Sequence, residues 1–194
     1  GVASTKAYTT QLTAFYLLAL YMGRTLGTLG EAEYRKVLDA LHEMPTHIQA
    51  VLDAEVKIQR IADHQFNNDS IFFMGRGVDV DSAFEASLKL KEISYINSFA
   101  IAAGELKHGT IALIQDDTLV VALATQEHLF EKMLSNIKEV KARGAHVLAV
   151  AMEGNEDITK VADDIIWIPR TLDCLAPITS IIPMQQLAYY VSVA

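Results

Sequence analysis

Glu85, Lys89 and Glu92 stand four and three residues apart. On a helix that spacing sets two carboxylates and an ammonium on one face. The usual meaning of such a pattern is a solvated ion-pair stripe. If the face lines a cleft, it can instead move protons: Lys89 would hold or tune a carboxylate and Glu92 would carry the proton. A second group is Gly104-Glu105-Leu106-Lys107-His108-Gly109, inside the small-residue loop from Ala102 to Thr110. A histidine among glycines is poorly suited to a core, and imidazole titrates nearest neutral pH. A third is Gly75-Arg76-Gly77, directly behind an apolar run. Glycines there can let backbone amides approach a phosphate at the next helix. A plain tight turn is the simpler reading.

The remaining chemistry-bearing residues have ordinary readings. His42, His47, His64, His128 and His146 fall in helices or a strand and do not cluster. Cys174 is the one cysteine and has no base beside it in sequence, so it reads as a passive thiol in a reducing compartment. The sequence has no metal-ligand spacing and no Walker-type loop.

Helices and strands must position these groups. Ser4 to Thr25 reads as a long helix with Ser4 as N-cap and Leu12, Phe15, Tyr16, Ala19, Leu20 and Gly23 on one face. Gly27 to Gly30 reads as a linker. Pro45 divides the next region into helices over Glu31–Glu43 and Pro45–Phe66, and Asn67-Asn68-Asp69 makes a turn. Strands are then expected over Ser70–Met74, Leu119–Ala124, His146–Ala151 and Ile165–Ile168. Helices are expected over Val80–Asn97, Gln126–Arg143 (capped by Gly144), Asp157–Asp163 and Pro177–Val193. Apolar strands that each lead into a helix indicate a parallel sheet covered on both faces, an α/β three-layer sandwich. Ligands of such sheets bind beyond the C-terminal strand ends, where all three groups above are expected to lie.

The chain has 194 residues, 51% of them hydrophobic and 21% charged, which excludes a disordered or low-complexity chain. Its net charge of −8 argues against nucleic acid and anionic membranes as partners. The apolar run Leu12–Met22 is too short to span a bilayer. The chain starts at Gly1 without methionine and stops inside an apolar stretch, so both ends read as cuts in a longer protein.

Three segments in register carry a resemblance over essentially the whole chain: GVASTKAYTTQ from Gly1, EASLKLKEISYI from Glu85 and GELKHG from Gly104. Together they resemble the isomerase half of the glutamine–fructose-6-phosphate aminotransferase family, the glucosamine-6-phosphate synthases. That resemblance implies tandem sugar-isomerase (SIS) domains of flavodoxin-like fold. Residues 1–27 would end the first domain and its linker, and residues 28–194 would form the second. It also implies a dimer in the cytoplasm, a glutaminase domain elsewhere in the full-length chain, and no cofactor. The substrate and product would be fructose 6-phosphate and glucosamine 6-phosphate.

The resemblance also implies roles for single residues. Glu92 matches the glutamate that shuttles a proton between sugar carbons 1 and 2. His108 matches a histidine that helps open the sugar ring in the neighbouring subunit. Lys89 matches a lysine supporting the sugar and the glutamate, and Val2, Ala3 and Ser4 match a segment lining the sugar. Asn97 and Phe99 depart from the family pattern, and Phe99 and Ile101 make that loop more apolar. The second domain's Gly75-Arg76-Gly77 is not a substrate site in this family. The chain alone is expected to be inactive, because a phosphate cradle and a Schiff-base lysine lie outside it. The competing readings are an SIS sugar-phosphate sensor of a transcription regulator and a fructosamine-6-phosphate deglycase.

Overall fold

The computed structural model describes residues 3–65 and 69–194. Val2, Phe66 and the Asn67-Asn68 pair therefore lie outside the described residues. Five strands form one parallel sheet in the order β2-β1-β3-β4-β5: β1 (Ser70–Gly75), β2 (Asn97–Ala102), β3 (Leu119–Ala124), β4 (His146–Met152) and β5 (Asp164–Ile168). The helices are α1 (Thr5–Thr25), α2 (Glu31–Leu52), α3 (Glu55–Gln65), α4 (Asp79–Ser94), α5 (Phe130–Lys141) and α6 (Ala176–Val193).

The strand residues alternate between two cores, as a period of two requires. Ile71, Phe73, Leu119, Val121, Leu148 and Val150 face a core shared with α3, α4 and α6. Phe72, Met74, Val120, Ala122, Val147 and Ala149 face the other, shared with α5 and the 3₁₀ turn Ala103–His108. A smaller cluster joins Leu20 of α1 and Leu41 and Met44 of α2 to Leu175 and Ile178. The α/β sandwich read from the sequence is thus the observed architecture.

Two expectations require correction. Pro45 does not divide the second helical region: α2 runs through it to Leu52, and the break falls at Asp53-Ala54. Proline costs a helix one hydrogen bond. Here Leu41 and Met44 before or beside the ring and Val51 beyond it are all buried, so packing on both sides keeps the rod whole. The second correction concerns Asn97–Ala102, read as a helix end and a loop. This segment is edge strand β2, paired in register with all of β1 from Ser70–Asn97 to Gly75–Ala102. Its mixed exposure hides the apolar run that marks the central strands. Helix α4 stops before it at Tyr95, whose φ of 62° turns the chain into the left-handed region.

At the end of β1 the backbone of α4 presses on Gly75. A Cβ there would sit 2.4 Å from the Asp79 carbonyl oxygen, which is backbone and cannot yield. Gly75→Ala should therefore destabilise the protein by about 2 kcal/mol or more. Denaturant unfolding checks this, and an unchanged midpoint would contradict the packing described.

Candidate active-site residues and the SIS family

Helix α4 carries Glu85, Lys89 and Glu92 on one face, as their spacing predicts. That face is no solvated stripe. Lys89 is 3% exposed, and its ammonium donates to Glu92 Oε2 at 2.7 Å and to the Ala3 carbonyl at 2.6 Å. Glu85 Oε1 lies 3.4 Å away on the preceding turn. The buried cation is thus surrounded by oxygen, as a charge removed from water must be. Glu92 keeps part of its side chain open to solvent. A half-exposed carboxylate fixed by a buried donor is suited to exchanging a proton with a ligand.

The segment before α1 completes this corner. Ser4 occupies the N-cap position with φ 50°, a left-handed conformation uncommon outside glycine. α1 is held down at three further points. Gln185 of α6 donates to the Thr5 carbonyl, and the Tyr16 hydroxyl donates to the Cys174 carbonyl. Tyr8 packs beside Glu85, and burial, helped by the Glu85 charge, pushes its phenol above the ordinary value. Burial likewise raises Tyr16, to about 12. The four-residue step from Glu85 to Lys89 had already placed Glu85 on this face; sequence reading did not bring Tyr8 to the corner.

The structure brings Lys89, Glu92, Ala3 and Ser4 into one neighbourhood and leaves His108 outside it. His108 ends the 3₁₀ turn Ala103–His108 and is 76% exposed. Its charged neighbour is Glu105, with Oε2 4.0 Å from Nε2. The turn packs on the α5 face of the sheet, whereas α4 covers the opposite face. The expectation that Glu92 lies beyond a C-terminal strand end is also corrected. α4 runs back against the strands, so its last turn stands beside the start of β2.

The C-terminal strand ends hold something else. The strand order reverses between β1 and β3, the point where α/β sheets admit ligands. Asp79 sits there, 1% exposed. Its carboxylate accepts the Thr125 amide at 2.8 Å and the Thr125 hydroxyl at 2.5 Å. Burial raises its pKa from 3.8 to about 6, against the opposing pull of the Thr125 hydroxyl and amide and the Gln126 amide.

Residues 66–194 match the SIS domain family. The chain belongs to that family. It is 52% identical over 193 residues to a glutamine–fructose-6-phosphate aminotransferase (isomerizing) of Caldanaerobacter subterraneus, covering 100% of this chain and 32% of that protein. An aminotransferase of the same name from Thermus thermophilus is 46% identical over 193 residues, with the same coverage. Among solved structures, the C-terminal domain of glucosamine-fructose-6-phosphate aminotransferase from Francisella tularensis superposes with a TM-score of 0.96 at 33% identity. The match covers 100% of this SIS chain and 54% of that one. The chain spans about a third of the length of the curated relatives it matches. No helix among the described residues is long and apolar enough to cross a membrane.

The raised Asp79 pKa has a definite sign. The folded protein binds this proton more tightly than the unfolded chain does. The resulting stability is fully present below 3.8 and is lost as pH rises through about 6. Compared with an Asp79→Asn variant, the wild type should lose about 3 kcal/mol of stability between acid and neutral pH. Unfolding curves across that range check this; parallel profiles for the two proteins would contradict it.

Proposed function

We propose that this SIS chain carries part of the sugar-isomerising machinery of a cytoplasmic glutamine–fructose-6-phosphate aminotransferase, acting in hexosamine synthesis. Glu92 takes the proton from carbon 1 of the sugar and returns it to carbon 2 on the same face. Lys89 fixes Glu92, and the segment Val2, Ala3 and Ser4 lines the sugar. His108 gives a proton to the ring oxygen as the ring opens. The observation that carries this reading is the buried Lys89 joined to both Glu92 and Ala3. Three residues singled out from the sequence thereby meet at one ion.

His108 acts in the site of a second copy of the chain. Its exposure, on the sheet face opposite Glu92, supports that division of labour. Residues 1–27 belong to a preceding domain and its linker, and residues 28–194 form the second domain. The outward face of α1 supports that boundary, because Phe15, Leu18 and Met22 are exposed on the side away from Leu20.

Full-length Glu92→Gln and His108→Ala variants test the roles. Each should lose about 100-fold or more in converting fructose 6-phosphate. Co-expressed, the two variants should recover about a quarter of wild-type activity, because mixed dimers contain one intact site. Loss without recovery would show that Glu92 and His108 serve the same subunit.

A further inference from the structure

We propose that Arg76 is a positioning residue that holds the His108 turn in register, and that Gly75-Arg76-Gly77 has this role in place of phosphate binding. The proposal rests on the ring-opening role of His108 given above.

The contacts run unbroken from the sheet to the histidine. Arg76 Nε donates to Asn136 Oδ1 at 2.8 Å. Asn136 is 5% exposed on α5, and its amide donates to Glu139 Oε2 at 3.3 Å. The other Glu139 oxygen pairs with Lys107 at 2.9 Å. Lys107 directly precedes His108. At the other end of the turn the Arg76 guanidinium lies against Gly104, where a Cβ would come within 3.3 Å of it. Ala103 and Leu106 anchor the apolar side in the core. The turn is thus gripped near both ends, while His108 itself stays exposed. A planar guanidinium can lie flat on a backbone and donate sideways at once, which a lysine ammonium cannot do.

The same corner is poorly arranged to take a phosphate. The amide of Thr125, beside this switch point, is already donated to the Asp79 carboxylate. Arg76 is directed away, towards α5. The Asp79 carboxylate takes the donors that follow β3, and the arginine braces the neighbouring turn.

A pair of substrates tests the proposal in the full-length enzyme. Fructose 6-phosphate must be ring-opened, whereas 5-deoxyfructose 6-phosphate lacks the hydroxyl that closes the ring and stays open. Arg76→Ala should lower kcat on the first by about tenfold or more, because misplacing a catalytic group by an ångström is that costly. It should leave KM unchanged and the open-chain rate nearly intact. The Arg76→Ala, His108→Ala double variant should be no slower than His108→Ala. Glu139→Gln, a milder change at the edge of α5, should show the same selectivity at smaller size and decides the matter if Arg76→Ala does not fold. Equal loss on both substrates, no loss, or additive losses with His108→Ala would overturn the role of Arg76. If His108→Ala itself fails to distinguish the substrates, the ring-opening assignment fails, independently of Arg76.

Discussion

A lysine ammonium cannot leave water unless oxygen replaces the water, and that constraint organises this molecule. Lys89 satisfies it with Glu92, Glu85 and the Ala3 carbonyl, which belong to two turns of α4 and to the segment before α1. A buried ion pair is a weak source of net stability, since apolar replacements often do as well, but breaking one partner of it costs about 3–5 kcal/mol. Its value here is geometric. One cation fixes the rotamer of a half-exposed carboxylate and pins the start of α1 beside it. Gln185 and Tyr16 extend the attachment along α1.

The sheet divides the remaining work between its faces. The α4 layer carries the Lys89–Glu92 pair, and the turn that ends in the exposed His108 packs on the α5 layer. Between them lies the point where a doubly wound sheet would normally accept an anion. Asp79 fills it from within, accepting the Thr125 amide and hydroxyl. Gly75 belongs to this arrangement, because α4 leaves no room for a side chain there.

The sequence was most legible where one rule acted alone. β3 and β4, buried on both faces, show as plain apolar runs, and the step from Glu85 to Lys89 to Glu92 shows as one helical face. It was least legible where tertiary contacts decide. β2 lies at an edge, so its alternation is blurred by partial exposure and its identity comes from pairing with β1. Pro45 signals a break that packing overrides. The ion-pair stripe looked solvated because the cover over Lys89 comes from Ala3, 86 residues away in sequence. Arg76 gave no sign of its partner Asn136, which lies 60 residues on. The resemblance placed Glu92 and His108 in functional roles. The structure adds the contacts that hold each of them.

The central claim is that the Lys89–Glu92 pair faces the sugar. A crystal structure of the full-length protein with glucosamine 6-phosphate bound tests it most directly. The account predicts a Glu92 carboxylate oxygen within hydrogen-bonding reach, about 3 Å, of the substituents on sugar carbons 1 and 2, with the Lys89–Ala3 contact intact. A sugar bound at the Gly75-Arg76-Gly77 strand ends, with Glu92 remote from it, would contradict the account.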